Sequence, residues 1–127
     1  MTNDDRANPG GARFDLNERT AVFGERVIEF ARMMKTDVIT APLVSQLIRA
    51  ATSVGANYDE ADEATTKKEF RYRIGVSKKQ ARETKRWLRM IAAAAPGHRD
   101  TARDLWKEAN ELHLIFATIY RNAADTD

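Results

Sequence analysis

Most of the positive charge of this chain lies in one stretch, residues 67–90. The stretch contains ten Lys and Arg residues against two acidic residues, a net charge of +8, whereas the rest of the chain has a net charge of −6. In a helix, which turns by about 100° per residue, most of these cations fall on one face. Lys and Arg side chains in such an array neutralise phosphates and bind nucleic acid in a salt-sensitive way, without sequence preference.

The candidate nucleic-acid-binding residues are nine cations of that face, which we call the basic stripe. The basic stripe consists of Lys67, Lys68, Arg71, Lys78, Lys79, Arg82, Lys85, Arg86 and Arg89. No aromatic residue is interleaved within the basic stripe, so its sequence does not favour the stacking of unpaired bases. The same pattern is also typical of a solvated charged face, or of a face that pairs with acidic groups of another subunit.

Residues suited to catalysis or to metal binding are few. A di-iron bundle needs Glu-x-x-His motifs, but the histidines are His98 and His113, and Asn110 stands three residues before His113. The acidic run 59–63 lacks the spacing of a calcium-binding loop. The chain has no cysteine, no Gly-rich phosphate loop and no visible Ser/His/Asp set. We therefore predict a protein without enzymatic activity, cofactor or metal site.

One cation of the same stretch, Arg73, falls on the apolar side of the helix, away from the basic stripe. A buried guanidinium needs a carboxylate or another polar partner, because an unpaired buried charge is costly. Acidic residues end the preceding segment, and Glu83 lies in the same helix. We predict a structural polar network of Asn57, Glu60, Arg73 and Glu83 that fixes the register of two helices.

Apolar residues spaced alternately by four and three residues predict the helices that position these groups. The pattern indicates four helices, at about residues 15–35, 41–63, 67–95 and 99–122. Thr66 and Glu69 fit a capping box at the start of the third helix, and Pro96-Gly97 ends it. Gly55 interrupts an apolar helix face, so we expect a neighbouring helix to approach closely there.

The fold class predicted from these helices is all-α, an antiparallel up-down-up-down four-helix bundle with left-handed packing. No strand pattern appears, and an apolar content of 43% supports one domain with one core. The bundle is expected to span residues 14–123. Residues 1–13 are predicted to form a disordered arm, and residues 124–127 a short tail.

Apolar and aromatic residues beyond the helix seams suggest a second contact surface. These candidates for an oligomer interface are Val76, Trp87, Met90, Trp106, His113 and Tyr120. The last three are seven residues apart, so they share one face of the fourth helix. The alternative interpretation is that all six widen the flanks of a single core.

Several segments resemble the bacterial four-helix bundle proteins of the 23S rRNA intervening-sequence protein family. The similar segments, with x for positions that do not count, are SVGANYxEA at 53–61, KEFxxR at 68–73, ARETxxWL at 81–88 and the opening FDL at 14–16. The chain departs from the family pattern at Gln80, where Glu is usual, and at Arg86, where an aromatic residue is usual. Both departures make the third helix more basic.

The resemblance implies an antiparallel bundle, assembly as a ring-like homopentamer and no known enzymatic activity. A related branch, the accessory variability proteins of diversity-generating retroelements, acts as a basic accessory subunit that engages reverse transcriptase and nucleic acid. These properties follow from the resemblance and not from the periodicity of the chain.

The polar N-terminal segment lacks the apolar centre of a secretory signal, and no run of about 18 apolar residues occurs. We therefore expect a cytoplasmic protein without membrane contact. The predicted function is a non-enzymatic homo-oligomeric scaffold, a homopentamer by resemblance, that binds RNA or DNA backbone through the third helix. The alternative is an adaptor that docks an acidic protein, such as a retroelement reverse transcriptase.

Overall fold

The computed structural model describes residues 15–123, and within that range it is an all-helical four-helix bundle. Its helices are α1 (Leu16–Met33), α2 (Thr40–Asp62), α3 (Lys67–Ala94) and α4 (Arg99–Asn122), with one 3₁₀ turn at Pro96–His98 between α3 and α4. These bounds differ by at most two residues from those expected. The predicted N-terminal arm and C-terminal tail lie outside the described residues.

Each helix packs against its neighbours in the chain, and α4 also packs against α1. Asn17, near the start of α1, donates a 2.6 Å hydrogen bond to Asp59, near the end of α2. The α1–α4 contact includes a two-pronged pairing of the Arg19 guanidinium with the Glu108 carboxylate, at 2.7 and 2.9 Å. Contacts that join the start of one helix to the end of the next are those of antiparallel neighbours. The full up-down order and the left-handed packing sense stay predictions.

The core is formed by the helix faces whose spacing predicted it. Its largest fully buried side chains are Phe23, Phe30, Phe116, Leu16, Leu47, Ile74, Leu88, Ile91, Leu105 and Leu112. Burial of apolar area at about 25 cal/mol per Å² is the main stabilising contribution in such a bundle. The pattern of burial confirms that one apolar stripe of every helix faces a common interior.

Small residues bring α2 close to both of its neighbours. A Cβ atom added to Gly55 would lie only 2.8 Å from Oγ1 of Thr20 on α1. The close approach expected at Gly55 is therefore confirmed. On the other side of α2, the buried Ser77 hydroxyl of α3 donates a 2.9 Å hydrogen bond to the carbonyl oxygen of Val54.

The start of α3 agrees with the capping box expected from the sequence, whereas α1 begins without a side-chain cap. At α3, Oγ1 of Thr66 accepts a 3.0 Å hydrogen bond from the Glu69 amide, as the capping box predicted. At α1, Asp15 makes no side-chain cap, because its backbone is not in the extended conformation that a capping residue needs.

Asp37 supplies the cap of α2. Oδ1 of Asp37 accepts hydrogen bonds from the Ile39 and Thr40 amides, at 2.9 and 2.8 Å. Hydrogen bonds, first from Thr40 and then from Ile39, hold the pKa of Asp37 below its ordinary value. Asp37 lies between the helices expected at residues 15–35 and 41–63, and a short acidic side chain just before a helix is a typical start signal.

Candidate nucleic-acid interface

The basic stripe lies along the outer side of α3, on the flank next to α4. Its exposed members are Lys67, Lys68, Lys79, Arg82, Arg86 and Arg89, and its half-buried members are Arg71, Lys78 and Lys85. Apart from Lys67, no cation of the basic stripe forms an ion pair with a carboxylate of residues 15–123. The charge of this flank is thus not compensated by nearby acidic side chains of that part of the chain.

The half-buried cations pack against aromatic rings of α4. The guanidinium carbon of Arg71 lies 3.9 Å from the ring centroid of Tyr120, and Nζ of Lys78 lies 5.0 Å from the same centroid. Nζ of Lys85 lies 5.4 Å from the ring of Trp106. Such cation–π contacts stabilise by about 0.5–1 kcal/mol each at partly exposed sites.

The basic stripe is therefore bordered by an aromatic row, Trp106, His113 and Tyr120. The basic stripe contains no aromatic residue on α3 itself, and the rings come from the neighbouring helix. Their spacing of seven residues indicates a shared face of α4 but not which flank of α3 that face meets.

Gly75 makes room for one end of the aromatic row. A Cβ atom at this position would lie 2.9 Å from Cε1 of Tyr120. Because α3 has no side chain there, the Tyr120 ring can lie against the helix surface beneath Arg71.

Lys85 is tied to α4 and differs in this from the exposed cations. Its Nζ donates a 2.9 Å hydrogen bond to Oδ1 of Asn110 and lies 3.2 Å from Nδ1 of His113. Burial, and then Arg82, lower the pKa of Lys85. Burial also lowers the pKa of His113, and Lys85, Lys78 and Arg82 lower it further. The Lys85 ammonium carries only donors, so Nδ1 of His113 accepts this hydrogen bond, and the lowered pKa favours the neutral ring that acceptance requires.

Three open grooves follow one another along the junction of α3 and α4. The Tyr120 groove, of about 470 Å³, includes Tyr72, Gly75, Val76, Lys78, His113 and Tyr120 in its lining. The central groove, of about 460 Å³, is lined by Lys79, Arg82, Glu83, Lys85, Arg86, Arg89 and Trp106. The Trp106 groove, of about 470 Å³, is lined by Leu88, Arg89, Ala92, Ala93, Arg99, Ala102, Arg103, Trp106 and Lys107.

The Trp106 groove adds three cations to those of the basic stripe. Arg99, Arg103 and Lys107 are four residues apart, so they lie on one side of α4. All three are exposed, and none forms an ion pair with a carboxylate of the described range. Their spacing is visible in the sequence, but they lie outside the strongly basic stretch 67–90.

The polar network around Arg73 differs from the prediction. Nη1 of Arg73 donates a 3.1 Å hydrogen bond to Oδ1 of Asn57, as expected. The predicted carboxylate partners are wrong, because Glu60 is exposed on α2 and neither it nor Glu83 bonds to Arg73. Arg73 is half-buried, so solvent can replace a carboxylate around much of the guanidinium. Its Nε is nevertheless buried without a hydrogen-bond partner.

The six candidates for an oligomer interface are half-buried, with one exception. Trp87 and Tyr120 pack against the core as partly buried residues. Val76, Met90 and His113 are also half-buried, and Trp106, with 37% of its surface accessible, is the one exposed member. The role of these residues in assembly stays a prediction.

Two kinds of site are not found among the described residues. Residues 15–123 contain no group of three or more His, Asp or Glu side chains that could hold a metal ion. In the same range, no helix combines the length and the apolar content that a membrane span requires.

Comparisons with known proteins agree with the fold. No curated protein matches the chain significantly. The chain is similar in structure to a protein of unknown function from Bacteroides thetaiotaomicron, whose crystal structure is described as one of the S23 ribosomal protein family. The two share a TM-score of 0.73 and 22% sequence identity. The match covers 83% of this chain and 97% of that one. The family model of the 23S rRNA-intervening sequence protein matches residues 14–117. The chain therefore belongs to the 23S rRNA-intervening sequence protein family.

Proposed function

We propose that this protein is a non-enzymatic, homo-oligomeric scaffold of the cytoplasm that binds the backbone of RNA or DNA through the basic stripe. The observation that carries the proposal is the absence of ion pairs between eight of the nine stripe cations and the described carboxylates. Cations that are already paired would have to break those pairs before they could contact phosphates. Unpaired cations on one helix face need no such rearrangement.

The dimensions of the basic stripe suit a nucleic-acid backbone. From Lys67 to Arg89 the helix rises by about 33 Å, at 1.5 Å per residue. That length is about one turn of a duplex. If the six exposed cations each neutralise one phosphate, the logarithm of the duplex affinity should fall with the logarithm of salt concentration with a slope of about −5. Affinity would then drop about 1,000-fold between 50 and 200 mM salt.

The test uses charge reversal at exposed members of the basic stripe. Glu replaces Lys79, Arg82 and Arg86, which are exposed on α3. Lys78 and Lys85 are left unchanged because their contacts hold α3 to α4. With three of six contacts removed, we expect the salt slope to fall to about −3 and affinity at 50 mM salt to collapse.

A matched control carries the same change of charge elsewhere. Glu replaces Arg26, Arg32 and Arg49, which are exposed on α1 and α2. The control variant should bind duplex nearly as well as the parent. The proposal fails if the parent does not bind at about 50 mM salt, or if both variants lose affinity to the same extent while folded and assembled.

The homo-oligomeric part of the proposal rests on the family resemblance. Light scattering should give several times the chain mass of 14.4 kDa, and the resemblance favours five copies. A monomer at micromolar concentration would contradict this part without affecting phosphate binding.

An acidic protein, such as a retroelement reverse transcriptase, could use the same exposed cations. Capture of partners with and without nuclease separates the two functions. Partners that are lost after nuclease treatment support nucleic-acid binding, whereas a protein partner that is retained supports the adaptor function.

A further inference from the structure

We infer that the Trp106 groove takes an unpaired base of single-stranded nucleic acid, with the neighbouring phosphates held by the cations at its rim. This inference rests on the proposed function and adds to it the class of nucleic acid. A duplex can contact the basic stripe, but it does not offer the faces of its bases to a groove.

The chemistry of the Trp106 groove fits a base with phosphates on either side. Its floor consists of aliphatic side chains, Leu88, Ala92 and Ala102 among them, and one wall is the indole of Trp106. Its volume of about 470 Å³ lies within the range of about 300–1,000 Å³ typical of small-ligand sites. Apolar and aromatic surface of this size suits a flat, uncharged ring.

The rim of the groove supplies the charge that the phosphates require. Arg89 comes from α3, and Arg99, Arg103 and Lys107 come from α4, so cations flank the apolar floor on both sides. All four are exposed, and none is paired with a carboxylate of residues 15–123. An uncharged apolar ligand would contact the floor of the groove but not these cations. A simple polyanion would contact the cations but not the apolar floor.

The Trp106 ring is held in place before any ligand arrives. Nζ of Lys85 lies 5.4 Å from the ring centroid, and the hydrogen bond to Asn110 fixes Lys85 itself. Because the ring is oriented in advance, less conformational entropy is lost when a base stacks on it.

The groove also opens towards the rest of the basic stripe. Trp106 lines both this groove and the central groove, where Arg82 and Arg86 lie. A single strand that places one base against Trp106 can therefore continue along α3 with its phosphates on exposed cations. His113 and Tyr120 follow on α4 at intervals of about 10.5 Å, since they are seven residues apart.

The experiment compares three fluorescent probes of equal length: oligo(dT), an abasic oligonucleotide of the same charge, and a duplex. The parent should bind oligo(dT) more tightly than the abasic strand. Trp106→Ala should weaken oligo(dT) binding by about 5- to 150-fold, the usual effect of losing one base–aromatic stack. It should change the affinities for the abasic strand and the duplex by less than about twofold. Trp106→Phe should restore most of the loss.

A direct readout uses tryptophan fluorescence. In a Trp87→Phe background Trp106 is the sole tryptophan, and oligo(dT) should quench its emission while the abasic strand should not. Quenching reports contact with a base, which a purely structural role of Trp106 would not produce.

The experiment gives different results when this inference fails and when the proposed function fails. If all probes bind but Trp106→Ala leaves the preference for oligo(dT) unchanged, the groove is not the base site and phosphate binding stands. If the parent binds none of the probes at low salt, both are overturned. If Trp106→Ala lowers the mass in light scattering, the groove is a contact between copies of the chain, and the inference is wrong.

Discussion

The closest helix–helix approach described above allows a quantitative test at Gly55. Replacement by Ala would place a Cβ atom 2.8 Å from Oγ1, 3.1 Å from Cβ and 3.5 Å from the carbonyl carbon of Thr20. The first two distances are shorter than ordinary van der Waals contacts, and Thr20 belongs to the body of α1. The new methyl group therefore forces α1 and α2 apart.

Two effects of opposite sign determine the result. Gly→Ala inside a helix gains about 1 kcal/mol in helix propensity. Overpacking of a close helix contact costs about 1–3 kcal/mol. Gly55→Ala should thus range from neutral to about 2 kcal/mol less stable than the parent.

Gly24 provides the matched control. It is also inside a helix and faces the same pair of helices, but an added Cβ would lie 3.8 Å from Thr52, an ordinary contact. Gly24→Ala should raise the free energy of unfolding by up to about 1 kcal/mol, because it gains helix propensity without crowding a neighbour. The difference between the two variants, about 1–3 kcal/mol, isolates the packing cost.

Urea unfolding followed by circular dichroism measures the difference, with protein concentration held constant because assembly affects apparent stability. The double variant Thr20→Ala/Gly55→Ala should recover part of the loss, with a coupling energy of at least about 0.5 kcal/mol. The reasoning is refuted if Gly55→Ala proves as stable as Gly24→Ala.

Three further predictions concern side chains of α3 and α4. Arg73→Ala should cost only about 0.5–1.5 kcal/mol in urea unfolding, since a single hydrogen bond to Asn57 is lost; a loss above about 3 kcal/mol would indicate a carboxylate partner after all. Burial, followed by nearby cations, lowers the pKa of His113 below 6.5, the ordinary value expected in the unfolded chain. The unfolded chain therefore binds the proton more readily than the folded protein does. The free energy of unfolding should fall as the pH drops through 6.5 towards the folded-state pKa. His113→Gln should flatten the part of the profile that lies below about pH 6.5, and an unchanged profile would contradict the assignment. Lys85→Ala should lower the free energy of unfolding by about 1 kcal/mol, because the hydrogen bond to Asn110 is lost. Arg82→Ala, on the exposed side, should change it by no more than about 0.5 kcal/mol. Equal losses would show that Lys85 does not hold α3 to α4.

The sequence predicts the bundle well because burial and periodicity have one cause. A helix face that repeats every three to four residues must face apolar neighbours, so Phe23, Ile74 and Phe116 could be assigned to the core directly. Gly55 could be interpreted in the same way, since a glycine within such a face is favoured where another helix approaches closely.

The parts that could not be predicted depend on which flank of one helix meets which flank of the next. Periodicity gives the angle of a residue relative to the core but not its partner on the adjacent helix. For this reason the rings of Trp106 and Tyr120 could not be placed against the basic stripe. For the same reason Glu60 was assigned to Arg73, although its side chain is exposed.

The concentration of positive charge in the basic stripe also affects the energetics of folding. Bringing so many like charges onto one flank of α3 produces self-repulsion, which is present in the native state and weaker in the expanded chain. Added salt screens that repulsion, with a Debye length of about 8 Å at physiological ionic strength. We therefore expect the melting temperature to rise with salt even though affinity for a polyanion falls. If the proposed function is correct, the phosphates of a bound strand screen the same repulsion, and the protein should resist unfolding more strongly in the complex than alone.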